Sequence, residues 1–152
     1  MNELATAKRC AEKMWAGDAA SRALGMTVEI RRVGGATARM QVRDDMVNGF
    51  DVCHGGLLFA LADTAFAFAC NAYDRVAFAA SASIEFLRPA MLGDKLRAVA
   101  SEEHRGRNSA YYTVRIDNQD GDIVALFRGR SVSRNEPVLG KENDTNDIEI
   151  WE

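Results

Sequence analysis

Residues 50–71 read FDVCHGGLLFALADTAFAFACN, and this stretch decides the fold. From residue 57 to residue 70 the side chains are almost all apolar or small, over a length that suits a helix rather than a strand. A helix that is apolar on every side must be enclosed, so the rest of the chain is expected to wrap around it. Asp63 stands in the middle of the run with only Thr64 as polar company. A carboxylate there loses hydration, and helix interiors disfavour aspartate in any case. Two readings of Asp63 stay open: a buried aspartate satisfied by an arginine or by backbone groups, and a carboxylate retained for chemistry.

The helix opens on His54-Gly55-Gly56. The first N–H groups of a helix have no internal partners and carry the positive end of its dipole. Glycine lets a ligand approach that backbone closely, so this end suits a carbonyl oxygen that gains negative charge. The plainer alternative is a tight entry into the helix. Gly56 and Asp63 are seven residues apart, on nearly the same face. A base and an oxyanion site on one helix point to acyl transfer. Asn48, in VNGF, either makes an Asn-Gly turn or offers its amide to a water or a substrate carbonyl. Cys53 and His54 are neighbours, and in an extended segment neighbours point to opposite sides, which argues against a cysteine hydrolase. His54 and His104 are the only histidines, and Cys10, Cys53 and Cys70 lack metal-ligand spacing, so no metal and no cofactor is expected.

Outside this stretch the chain reads as strands. TVEIRRVGGATARMQV alternates around a turn at Gly34-Gly35, which predicts a hairpin. RVAFAASASIEFLRP predicts a long strand ended by Pro89, and GDKLRAVASEEHRG another. NSAYYTVRIDNQDGDIVALFRGRSVSR predicts a hairpin turning at Asp120-Gly121, with Tyr112, Val114 and Ile116 on one face. Residues 3–16 carry Leu4, Ala7, Ala11, Met14 and Trp15 at helical spacing and predict a short surface helix. The fold class is therefore α+β: about six mostly antiparallel strands around one long apolar helix at about residues 55–71. Three segments are expected: a helical stretch at 1–20, the main domain at 21–134, and an acidic, mobile tail at 135–152.

The 152 residues suit one domain, and a net charge of -3 offers no general attraction to nucleic acid. The N-terminus has charges throughout and no long apolar core, and the apolar run is too short to span a membrane. Three cysteines without a secretory signal fit a reducing cytoplasm. Arg88, Arg105, Arg107, Arg128, Arg130 and Arg134 gather at strand ends and one turn, where arginines either grip phosphates or face solvent.

Taken together, NGFDVCHGGLLFALADTAFAFACN, SASIEFLRPAMLGD and ALFRGRS, in that order, closely resemble the hotdog-fold thioesterases of the phenylacetate-degradation (PaaI) type. The resemblance covers about residues 20–134. It implies a sheet wrapped around the long helix, a homodimer with shared sites and a dimer of dimers. It also implies hydrolysis of aromatic acyl-CoA thioesters, phenylacetyl-CoA and its ring-hydroxylated relatives, to the free acid and CoA. On that basis Asp63 would be the catalytic carboxylate and Gly55 would offer its N–H to the thioester oxygen. Asn48 and His54 would support the site, with Thr64 beside the carboxylate and Gly56 at the substrate. Ser81, Ser83, Arg88, and Arg107 with Asn108 in HRGRNS, match segments that line a CoA groove. Asp63 would act as general base or as nucleophile, both open. Rival readings are a fatty acyl-CoA thioesterase, a hotdog dehydratase, which lacks its His–carboxylate pair here, and an acyl-CoA sensor, which would need a DNA-binding module.

Overall fold

A computed structural model of the chain describes residues 2–140. Helix α1 spans Glu3–Gly17 and a short α2 spans Ala19–Ala23. Strands β1 (Thr27–Glu29) and β2 (Gly35–Gln41) precede the long helix α3 (Gly55–Cys70). Four strands follow: β3 (Ala77–Phe86), β4 (Lys95–Arg105), β5 (Ser109–Asp117) and β6 (Ile123–Ser133). They form one six-stranded antiparallel sheet in the order β1-β2-β4-β5-β6-β3. The expected α+β hotdog architecture is therefore the one observed, with α3 packed against the sheet.

Side-chain size explains the close packing. The sheet face towards α3 presents Ala36, Ala38, Ala98, Ala100 and Ala125, all buried. Against these small residues α3 brings Leu58, Leu61 and Phe66, also buried. Each such side chain contributes roughly 2 kcal/mol on leaving water. Phe66 meets Tyr112 and Phe127 with ring centroids 5.5 and 5.8 Å apart. Gly129 makes this possible, because a Cβ there would lie 2.9 Å from the Phe66 ring. Tyr112, Val114 and Ile116 share the buried face of β5, as their alternation predicts.

Both ends of α3 are tied to β3. Asn71 ends the helix: its Nδ2 donates to Ala67 O at 2.9 Å and Ala77 O at 3.1 Å, and its Oδ1 accepts from Ala77 N–H at 2.9 Å. At the other end Phe86 packs over Gly55, where an added Cβ would meet the ring at 3.0 Å. Helix α1 is more than a surface helix. Its Ala7 and Cys10 are buried, and its Trp15 ring lies 6.3 Å from Phe68 of α3.

Two features differ from a helix wholly enclosed by its own sheet. Along α3, Phe59, Ala60, Asp63 and Ala67 are only half-buried and Gly56 is exposed, which leaves one stripe open. Among the described residues strand β3 pairs with β6 alone and is exposed along most of its length, with Phe86 54% exposed at its end. The expected tail enters the described structure as far as residue 140. There Glu136 O accepts from Val76 N–H at 2.8 Å and the Asp74 side chain accepts from Leu139 N–H at 2.8 Å. The remainder of that tail lies outside the described residues. No helix among the described residues is long and apolar enough to cross a membrane.

Candidate active site

Asp63 lies midway along the open stripe of α3 and is half-buried. Its carboxyl is held above the usual aspartate range, chiefly by burial and then by the negative charge of Asp18. Among the described residues no hydrogen bond or cation offsets either influence. This departs from the first of the two readings open in the sequence, an aspartate satisfied by an arginine. An acid without a partner among the described residues, on an accessible stripe, is a candidate reactive group.

The start of α3 is equally open. His54 is the N-cap, with φ -54° and ψ 133°, and its side chain makes no capping bond. Its carbonyl accepts from Leu57 and Leu58 N–H at 3.0 and 3.3 Å, and its own N–H donates to Met46 O at 2.9 Å. Among the described residues nothing accepts from the N–H of Gly55 or Gly56. Two free donors at the positive end of a helix can polarise a carbonyl oxygen. Gly56 has open space around its Cβ position, so a ligand can approach the backbone there.

Asn48 makes the turn that its motif predicts. Its Oδ1 accepts from Phe50 N–H at 2.9 Å and from Val52 N–H at 3.3 Å, closing an Asx turn. The turn places Phe50 at the tip, 86% exposed, ahead of the helix start. Only the amide nitrogen of Asn48 remains to face a substrate. Thr64 sits beside Asp63 in sequence but points elsewhere: its hydroxyl donates to Ala60 O at 2.8 Å and contacts Ser21 Oγ at 3.1 Å.

The candidate CoA residues do not gather at one place within a chain. Ser81 and Ser83 pair in register with Arg130 and Arg128, and Tyr111 also pairs with Arg130. These five side chains line a groove of about 610 Å³. The sequence had named Arg128 and Arg130 only as members of a general arginine cluster; strand register is what sets them beside the serines. Arg107 and Asn108 lie in the turn near the Ala77 end of β3. There Arg75 donates to Arg107 O at 2.7 Å, to Asn108 Oδ1 at 2.9 Å and to Arg134 O at 3.0 Å. Arg88 follows the opposite end of the ten-residue β3, about 30 Å away at 3.3 Å per residue, and pairs with Asp122 at 2.7 Å. A second groove of about 600 Å³, lined by Arg39, Lys95, Arg97 and Gln119, holds none of these residues.

All three cysteines are buried. Burial raises the thiols of Cys10 and Cys53 above the usual range and pushes Cys70 up to about 12. Cys53 is therefore no nucleophile for His54, whose side chain is exposed.

The fold is shared with known proteins. The family model of the thioesterase superfamily matches residues 50–125. The chain is 46% identical over 121 residues to the acyl-coenzyme A thioesterase PaaI of Escherichia coli (strain K12), covering 80% of this chain and 86% of that protein. The solved structure of the E. coli PaaI protein from the phenylacetic acid degradation operon has a TM-score of 0.87 at 41% identity, over 90% of this chain and 99% of that one. A hypothetical thioesterase protein of Streptococcus pneumoniae TIGR4, solved with coenzyme A, has a TM-score of 0.68 at 25% identity, over 71% of this chain and 87% of that one. The chain belongs to the thioesterase superfamily and, within it, to the hotdog-fold acyl-CoA thioesterases of the PaaI type.

Proposed function

We propose that the protein hydrolyses aromatic acyl-CoA thioesters, phenylacetyl-CoA and its ring-hydroxylated relatives, with Asp63 as the reactive carboxylate. The observation that carries the reading is Asp63 itself: an acid with no partner among the described residues, on the open stripe of a helix whose first N–H groups are likewise unengaged by them. The acyl class is supported by likeness to a protein of a phenylacetic acid degradation operon. In this scheme the thioester oxygen accepts from Gly55 N–H at the helix start, and Asp63 either deprotonates a water or attacks the carbonyl carbon. Attack by water, or by the carboxylate and then water, expels the CoA thiolate and leaves the free acid.

One helix cannot supply both groups to one carbonyl. Gly55 is eight residues before Asp63, a rise of about 12 Å at 1.5 Å per residue, whereas a hydrogen bond reaches about 3 Å. We infer a homodimer in which two copies of α3 lie antiparallel, each start facing the other's Asp63. Opposing residues 55 and 63 places the two-fold axis at Phe59, the middle of the open stripe. The free edge of β3 supports the same pairing. Antiparallel β3 edges would also bring Arg88 of one chain towards the partner's Arg107 turn, so that one CoA groove draws on both. Pairs of such dimers would make the tetramer.

The test is a panel of aromatic and aliphatic acyl-CoA esters, with released thiol measured. The reading expects kcat/KM highest for phenylacetyl-CoA and its hydroxylated forms. A preference for medium or long fatty acyl chains would replace the substrate class.

A further inference from the structure

The N-terminal segment reaches α3 at one buried polar point. Asp18 is the N-cap of α2, and its carboxylate accepts from Ser21 N–H at 3.0 Å and from Ser21 Oγ at 2.7 Å. Ser21 Oγ in turn lies 3.1 Å from Thr64 Oγ1. Ser21 is 4% exposed and Thr64 9% exposed. Hydroxyls this buried are costly unless each has a partner. Ser21 gives its one proton to Asp18, so Thr64 must share its own between Ala60 O and Ser21 Oγ, and the chain then runs from a carboxylate through two hydroxyls to the residue beside Asp63.

Capping does not require the charge on Asp18. Asparagine caps a helix as well: its Oδ1 accepts from Ser21 N–H, and its Nδ2, in place of Oδ2, donates to Ser21 Oγ. Nor is the charge neutralised. Arg22 donates to the backbone oxygen of Asp18 at 3.3 Å, not to its carboxylate, and no ion pair among the described residues involves Asp18. A second acid thus sits uncompensated near Asp63, on a segment outside the sheet.

We propose that Asp18 is a positioning residue of the thioesterase reaction, fixing Thr64 through Ser21 and setting the electrostatic field in which Asp63 works. The inference rests on Asp63 being the reactive carboxylate. Burial and the Asp18 charge, in that order, hold the Asp63 carboxyl above its ordinary range. The strands packed on α3 face it with apolar side chains, apart from Ser131, Glu102 and Tyr112, of which Glu102 and Tyr112 are titratable. Those two lie at the Cys70 end of the helix. On α3 itself the titratable groups are Cys70 and, at the N-cap, His54. Asp18 is the charged neighbour that acts on Asp63 most directly.

The test compares the pH dependence of kcat/KM for wild type, Asp18→Asn and Ser21→Ala, measured on phenylacetyl-CoA. Removing a like charge eases ionisation of Asp63, so the acid limb of Asp18→Asn should move to lower pH, with the melting temperature held by the asparagine cap. Ser21→Ala keeps the charge and breaks the hydroxyl chain; its acid limb should stay in place while kcat falls several-fold. An acid limb of Asp18→Asn that superimposes on wild type, or wild-type kcat in Ser21→Ala, overturns the proposal. Asp63→Asn is run alongside. If it is inactive and Asp18→Asn is unshifted, only the role of Asp18 fails; if it is active, the reading of Asp63 fails and the role of Asp18 with it.

Discussion

Two damaged chains should repair each other. In Asp63→Ala the carboxylate is gone; in Gly55→Pro the N–H at the helix start is gone. Proline suits that site, the first helical position, which follows a residue at φ -54° and ψ 133°. No hydrogen bond among the described residues is lost with the Gly55 N–H, and the Phe86 ring above it, 54% exposed, has room to swing aside. Loss of a base or nucleophile costs at least about a hundredfold, and loss of an oxyanion donor about as much, so each variant alone should be nearly inactive. If the rise of about 12 Å between the two residues forces each site to draw on both chains, a mixed dimer has one intact site and one doubly damaged site. Random pairing after joint unfolding and refolding makes half the dimers mixed, and activity should return to about a quarter of wild type. Thiol release from phenylacetyl-CoA reads the activity, and native mass spectrometry confirms the mixed species. Mixed dimers without recovery would mean that each site is built within one chain, and the placement of Gly55 opposite Asp63 would be wrong.

Asp63→Asn should lower kcat by at least about a hundredfold while the melting temperature holds or rises. The sign follows from the raised folded-state carboxyl: ionising Asp63 costs the native state more than the unfolded chain, a cost absent below the unfolded value and complete above the folded one. Calorimetry at neutral pH should therefore show no loss; a variant that unfolds or stays active contradicts the assignment. Arg107→Ala should raise KM for the CoA ester more than it lowers kcat, and a truncated thioester without the nucleotide should be indifferent to it; equal losses on both substrates would argue against a phosphate contact. Gly129→Ala should cost about 1–3 kcal/mol and lower the melting temperature by several degrees, because its methyl would sit 2.9 Å from Phe66; an unchanged melting curve would show that the aromatic cluster yields freely.

Periodicity made most of this fold legible. Strand alternation and the long apolar run around Asp63 locate every long element, and Gly121, with φ +78°, marks the last hairpin turn. What escaped the sequence was whatever depends on register or on chain segments far apart. Ser81 and Ser83 stand beside Arg130 and Arg128 only once β3 is set against β6. Arg75 holds the Arg107 turn through two hydrogen bonds and ties it to Arg134 through a third, all with acceptors more than thirty residues away in the chain. Asp18 and Ser21 belong to a five-residue helix, too short to leave a periodic trace, although an aspartate three residues before a serine is a capping signal. The open stripe of α3 was invisible for another reason. Apolar residues around a helix say that it is covered, not by which chain.

The deep placement of the three cysteines has a consequence for an enzyme whose product is a thiol. Each turnover releases CoA, and oxidised CoA is a disulfide that exchanges with any accessible thiolate. Cys10, Cys53 and Cys70 are 1%, 3% and 6% exposed, and burial keeps all three protonated near neutral pH. The folded protein therefore presents no thiolate to attack the disulfide form of its own product. It should remain unmodified, and fully active, in a pool of CoA that turns oxidising around it.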